Sequence, residues 1–298
     1  MPPTTTPVAP TGVLLGSFEP GTPEWEEVRA GLTVTATEIA AIVGLSPWQS
    51  RFSLWHKKTG MPTPPFEPNP AAEWGVRLED AVAKKYADEH PEVTLTKTGT
   101  WRHRDREWQR ATPDRIGDDR LVEVKTAPFA DGWGPSGTDQ VPIHYRCQVT
   151  WQMDTLGYRR TDFGVLIGGC DYREYTVEYD ETDAAMLRDA AQTFLHDVRH
   201  GNRPPIDGAD ATYQTIRVQP DGLEDVDVEI PFGTVCRWDD AYEAHHAATE
   251  KLTAVRGEVL DLIGNGKRAV CEGRRIAYRT VNDDGTTHAL QPYRSTTA

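Results

Sequence analysis

Leu121-Val122-Glu123-Val124-Lys125 alternates apolar and charged side chains. A strand repeats every two residues, so Glu123 and Lys125 share one face while Val122 and Val124 pack on the other. Just upstream, Thr112-Pro113-Asp114-Arg115-Ile116 runs into the turn formers Gly117-Asp118-Asp119, and residues 112–125 read as strand, tight turn, strand. The turn brings Asp114 back toward Glu123 and Lys125, so two carboxylates and one ammonium converge at a sheet edge. Two hard oxygen donors close together suit Mg²⁺ or Mn²⁺. Glu and Lys two apart are also an ordinary solvated pair on a strand, and spacing alone leaves both readings open.

The 298 residues suffice for one large domain with an appendage and a sizeable core. No apolar run is long enough to span a membrane. Met1 to Pro10 is Pro/Thr-rich, lacks the basic start and apolar centre of a secretory signal, and reads with residues up to 22 as a disordered tail. Cys147, Cys170, Cys236 and Cys271 form no C-x-x-C pair, which suggests neither a zinc site nor a disulfide framework and fits a reducing cytoplasm. The net charge of −14 argues against a nucleic-acid partner without excluding one, because basic residues can gather in a channel while acids cover the outside. Arg102, Arg104, Arg106 and Arg110 are one such cluster, and Lys267 to Arg279 another; each also fits a solvated strand face.

Coarse patterning alternates helices and strands. A short helix carries Trp25, Val28 and Arg29 to a stop at Gly31, and a second runs from a Thr35/Glu38 capping box to Gly44. Thr37 in that first turn, with Arg29 nearby, could hold a phosphate; ordinary capping is the alternative. A third helix follows Ser46-Pro47 and ends at Gly60. After a Pro-rich connector (61–68), Asn69 caps a helix over 71–89 whose buried stripe is Trp74, Leu78, Ala81 and Val82, with Glu79 at its border. Strands occupy 93–125, a Gly/Pro loop 128–137, and a helix 142–157 with Gln148 and Gln152 one turn apart. A hairpin over 162–179 and a helix over 182–201 complete a core of residues 23–201. Residues 202–231 read as a linker, and 232–298 as a long amphipathic helix plus a small β-hairpin turned at Asn282 to Gly285.

Several stretches, in order, resemble the YqaJ-like and lambda-exonuclease group of phage recombination nucleases. They are Val28-Arg29-Ala30-Gly31 with Thr35 to Ile39, Gly44-Leu45-Ser46-Pro47, Trp74-Gly75 with Leu78-Glu79, Pro113-Asp114, Glu123-Val124-Lys125, and Tyr145 with Gln148-Val149. Pro-Asp, a spacer and Glu-x-Lys make the PD-(D/E)xK motif. The resemblance implies an α/β, restriction-endonuclease-like core, a mixed central sheet flanked by helices. It implies that Asp114, Glu123 and the Val124 backbone carbonyl bind the metal, that Lys125 orients or activates water, that Glu79 lies beside the metal, and that Gln148 completes the site. Arg29 and Thr37, with Thr112, fall where the family binds a DNA 5′-phosphate.

The implied activity is Mg²⁺-dependent 5′→3′ degradation of double-stranded DNA ends in the cytoplasm, with a single-strand annealing protein as partner and a homo-oligomeric ring as assembly. Two other readings are a RecB-like nuclease of different polarity and a non-catalytic DNA-end-binding module. The scattered cysteines speak against the iron–sulfur form of the first, and the complete Asp114/Glu123/Lys125 set against the second.

Overall fold

The computed structural model describes residues 9–65, 70–218 and 222–293. Residues 1–8 of the expected N-terminal tail, the Asn69 cap, residues 66–68 of the connector and 219–221 of the linker lie outside the described residues. The chain divides into two compact units, Met1–Gly222 and Leu223–Ala298.

The first unit is mixed α/β, as the fold class required. Its central sheet has five strands in the order β3 (Thr96–Lys97), β6 (Arg115–Ile116), β7 (Leu121–Ala127), β8 (Arg160–Ile167) and β9 (Asp171–Glu178). Only the β7–β8 pair is parallel. A parallel neighbour cannot be reached by a tight turn, so the chain crosses over through α5 (Ile143–Leu156). The crossover makes β7 an inner strand with one face under α5, where the sequence placed it at a sheet edge.

A second sheet of four strands runs β1 (Gly12–Gly16), β4 (Thr100–His103), β5 (Gln109–Ala111), β2 (Val34–Thr35). The expected tail therefore contributes a strand. β1 pairs antiparallel with β4, and at its end Gly16 and Gly99 approach so closely that a Cβ on Gly99 would lie 2.0 Å from the Gly16 carbonyl oxygen. That approach depends on residues more than eighty apart, which local patterning does not register.

Helix α5 touches both sheets. Every residue from Cys147 to Leu156 is buried, the condition of a helix enclosed on all sides. Trp151 and Met153 are part of the main apolar core. The polar residues facing the second sheet are matched: Trp151 Nε1 donates to the Arg110 carbonyl at 3.1 Å, and Gln109 Nε2 donates to Asp154 Oδ2 at 2.7 Å.

Helix α4 (Pro70–Glu89) covers the opposite face of the sheet, with Val82, Ala83 and Val124 in a separate small core. Its buried residues are Val82, Ala83 and Tyr86, rather than the Trp74 to Val82 stripe. Trp74 stands 61% exposed, and Ala81 is also exposed; Val82 and Ala83 pack on Val124, while Gly75, beside Trp74, faces Thr126 of β7.

The remaining helices of this unit are α1 (Pro23–Arg29), α2 (Ile39–Ile42), α3 (Arg51–Thr59), α6 (Glu181–His200) and α7 (Asp210–Ile216). α2 is shorter than expected. Thr35 belongs to β2, and only half of its capping box forms, Glu38 Oε2 accepting from the Thr35 amide at 2.9 Å. α7 lies within the stretch read as a linker. Thr212 and Thr215 on it are buried, and Thr212 Oγ1 donates to Ser50 Oγ at 2.7 Å at the cap of α3.

The second unit holds α8 (Phe232–Ile263), which has no buried residue, and a three-stranded antiparallel sheet β10 (Arg268–Cys271), β11 (Arg274–Val281), β12 (Thr287–Pro292). The Asn282–Gly285 turn joins the last two strands as expected. The extra strand turns at Glu272 and Gly273, both with positive φ (49° and 78°). Such a two-residue turn favours Asn-Gly or Asp-Gly, and Glu at its first position hides it from sequence reading. Among the described residues no helix is long and apolar enough to cross a membrane.

Thr212→Val removes the donor to Ser50 and should lower stability by about 1 kcal/mol. Trp151→Ala opens a cavity at the shared helix and should cost about 3–5 kcal/mol. Denaturant unfolding of the two variants measures both.

Candidate active site

The β6–β7 turn closes through the Gly117 amide, which donates to the Arg120 carbonyl at 2.8 Å. It brings Asp114 alongside the middle of β7, where Asp114 Oδ2 accepts from the Val124 amide at 2.7 Å. Glu123 and Lys125 point toward α5 and Val124 toward α4, as the alternation required. Lys125 Nζ donates to Glu123 Oε1 at 2.5 Å and lies 4.8 Å from the ring centroid of Tyr145.

Glu123 is only 1% exposed, so its charge depends on partners. Oε1 accepts from Gln148 Nε2 at 2.5 Å as well as from Lys125, and Oε2 accepts from Gln152 Nε2 at 2.9 Å. Residues one helical turn apart lie on the same face, which lets both glutamines reach the same carboxylate. Gln152 was visible in the sequence as the one-turn neighbour of Gln148, but only the position of β7 under α5 assigns it to Glu123.

Glu79 borders the same cleft from α4. Arg115 Nη1 donates to its Oε1 at 2.7 Å and to the Asp114 carbonyl at 2.6 Å, while Arg115 Nη2 bonds to Asp80. Arg115, inside the hairpin motif itself, thus ties the helical acid to the turn. Pairing geometry does not follow from strand alternation, so this residue escaped the sequence reading. Glu79, Asp114, Val124 and Lys125 line a cleft of about 710 Å³, together with Trp48, Phe129, Trp133, His144 and Tyr145. The Gly/Pro loop that forms one wall is anchored by buried Trp133, stacked on Tyr145 at 5.6 Å and edge-on to Phe163.

The groups at the cleft floor titrate abnormally. Asp114 retains some solvent exposure yet is densely surrounded by protein; that burial, then the Glu123 charge, pushes its pKa up to about 8 against the pull of Lys125 and the Val124 amide. Burial drags Lys125 down, but Glu123 and Asp114 more than reverse this and hold it above its ordinary value. Lys125 is therefore an ammonium at neutral pH, suited to place positive charge and not to accept a proton. His144 is pushed down by burial and by the Lys125 charge, so its imidazole is neutral.

Two carboxylates that repel one another, with the Val124 main-chain carbonyl next to Glu123 in sequence, form an all-oxygen donor set. Mg²⁺ is held by one or two protein carboxylates with water completing its shell, so these residues fit it, and Mn²⁺ by the same chemistry. No group of three or more acidic, His or Cys side chains is gathered for a metal among the described residues, since Glu79 is drawn to Arg115.

The other expected site residues form a separate group. Arg29 Nη2 donates to Thr37 Oγ1 at 3.0 Å and to Thr35 Oγ1 at 3.3 Å, and its guanidinium lies over Trp25 at 4.2 Å. Arg29 and Thr37 are therefore brought together. Thr112 bonds instead to Thr100, hydroxyl to hydroxyl at 3.0 Å. The Arg102 to Arg110 cluster is partly structural, Arg106 bonding Gln109 and Asp154.

A carboxyl whose folded pKa is raised binds more protons folded than unfolded, so stability falls as pH rises from 3.8 toward 8. In chelator-treated protein, Asp114→Asn should melt above wild type at pH 8, with the gap closing below pH 4. Added Mg²⁺ should raise the wild-type Tm more at pH 8 than at pH 5.5. Thermal melts across that range check both.

Residues 24–159 match the family model described as the YqaJ-like viral recombinase domain. The chain is 30% identical over 211 residues to the uncharacterized protein YqaJ of Bacillus subtilis (strain 168), covering 69% of this chain and 65% of that one. It thus spans just under two thirds of the length of that curated relative. Among solved structures, an alkaline exonuclease from Laribacter hongkongensis aligns with TM-score 0.48 and 22% identity over 61% of this chain and 94% of its own. A phage related exonuclease from Haemophilus somnus 129PT aligns with TM-score 0.41 and 13% identity over 57% and 96%. The 112–125 hairpin and the crossover helix α5 both lie within residues 24–159, the segment similar to the YqaJ-like viral recombinase domain.

Proposed function

We propose that the protein is a Mg²⁺- or Mn²⁺-dependent 5′→3′ double-strand DNA exonuclease that leaves 3′ single strands for a single-strand annealing protein. The observation that carries this reading is the meeting of Asp114 and Lys125 at one cleft, with Glu123 buried behind them, bonded to Lys125 and oriented by Gln148 and Gln152.

A divalent cation held by Asp114, Glu123 and the Val124 carbonyl would supply the Lewis acidity that phosphodiester hydrolysis near neutral pH requires. The chain's own groups do the positioning. Lys125 sets an ammonium where negative charge develops as water's oxygen bonds to phosphorus and the bond to the 3′-oxygen breaks. The two glutamines fix the rotamer of Glu123, and Arg115 holds Glu79 beside the floor. Polarity rests on Arg29 and Thr37, whose guanidinium and hydroxyl form a compact donor pair suited to a terminal phosphate. Thr112 is a third, separate candidate. A ring of subunits enclosing the duplex, acting in the cytoplasm of a bacterial or phage-infected cell, completes the proposal.

Digestion of duplexes labelled at either end, with and without Mg²⁺, tests the reading directly: loss from the 5′ end only, and only with metal, is expected. Asp114→Asn, Glu123→Gln and Lys125→Ala should each lower the rate about 10³-fold or more while keeping the fold, and Glu79→Gln should be severely impaired. A 5′-phosphate should be degraded faster than a 5′-hydroxyl, and Arg29→Ala should erase the difference. Equal rates on the two ends in wild type would leave Arg29 and Thr37 with structural roles alone.

A further inference from the structure

The cleft rim carries an aromatic group that the proposed hydrolysis does not use. Trp48 lies in the loop between α2 and α3 and is 64% exposed, although it lines the same cleft as Asp114 and Lys125. Single exposed apolar side chains are common on protein surfaces, so it is the placement of Trp48 at the rim of this cleft, and not its exposure alone, that points to a ligand.

The indole is also held in place. The Ser46 hydroxyl accepts from the Trp48 amide at 3.3 Å and from the Gln49 amide at 3.2 Å, fixing the backbone of the loop. The His144 ring meets the Trp48 ring edge-to-face, with centroids 4.8 Å apart and planes at 81°. Tyr145, which lies beneath the Lys125 ammonium, is 6.1 Å from the same indole. One short segment of α5 therefore supports both the indole and the charged floor. His144 Nε2 is buried without a hydrogen-bond partner among the described protein groups.

An exposed indole braced at a right angle by a second ring keeps a free π-face, which is what a nucleobase needs for stacking. Stacking has little sequence preference because every base has a π-face. We infer that Trp48, braced by His144, is a stacking platform for one unpaired base of the DNA strand whose phosphodiester lies at Asp114 and Lys125. The inference rests on the nuclease reading for the identity of the strand, and it adds that the strand reaches the cleft with at least one base lifted from the duplex.

The test uses full-length protein with Ca²⁺ in place of Mg²⁺, to bind without cutting, and duplexes carrying 2-aminopurine at successive positions from each end. One position should be quenched by wild type and by Trp48→Phe, and not by Trp48→Ala. Trp48→Ala should weaken binding about tenfold, and should fail to weaken it further when that nucleotide is abasic. With Mg²⁺ the loss should fall on KM more than on kcat. The exposed position of Trp48 predicts an unchanged melt for the variant, which separates this effect from misfolding.

No quenched position, or equal affinity of wild type and Trp48→Ala, would overturn the platform. An equal tenfold loss on the abasic duplex would overturn it too. Failure of wild type to degrade DNA with Mg²⁺ or Mn²⁺ would instead strike the nuclease reading, and the quenching arm would still decide whether Trp48 stacks a base.

Discussion

A buried carboxylate with three donors governs the arrangement of the first unit. Glu123 is almost inaccessible to water, and an ionised acid in such a place is tolerable only when its oxygens are fully engaged. Lys125 supplies the countercharge from the same strand, and Gln148 and Gln152 supply amide donors from the helix above. The crossover helix must lie close over β7 for this to hold, so its register against the strand is fixed by polar contacts as well as by Trp151 and Met153.

Other buried acids show what a purely structural solution looks like. Asp162 receives Tyr86, Arg120, Arg160 and Thr176, and although burial alone would raise its pKa, Arg160, Tyr86 and Thr176 hold it below the ordinary value. Asp154 is similarly surrounded by Arg106, Gln109, Tyr179 and Arg188. Asp114 is left with one backbone amide and an acidic neighbour, and its pKa moves the other way. An incompletely partnered acid at a cleft, with its pKa raised, sets Asp114 apart from these two fully partnered acids.

The hairpin of residues 112–125, the crossover helix, the 162–179 hairpin and the long C-terminal helix were legible because each is set by local periodicity and turn chemistry. β1, the approach of Gly16 to Gly99 and the attachment of α7 were not, since each depends on a partner far along the chain. For the site, alternation placed Glu123 and Lys125 on one face, and helical spacing paired the glutamines. The Arg115–Glu79 link and the Trp48–His144 contact required knowing which elements meet. The apolar stripe of α4 misled for the same reason: periodicity gives a helix face, but not which residues of the helix meet the sheet.

The hydrogen bond from Thr212 to Ser50 joins residues 162 apart, and Ser50 both caps α3 and ends the loop that carries Trp48. Ordering α7 therefore removes conformational freedom from the cleft rim. By thermodynamic reciprocity, a ligand that immobilises the rim also tightens α7 against α3, and fraying of α7 loosens the rim in equal measure. A short helix far along the chain from the 112–125 hairpin is thus tied to the rim through one buried pair of hydroxyls.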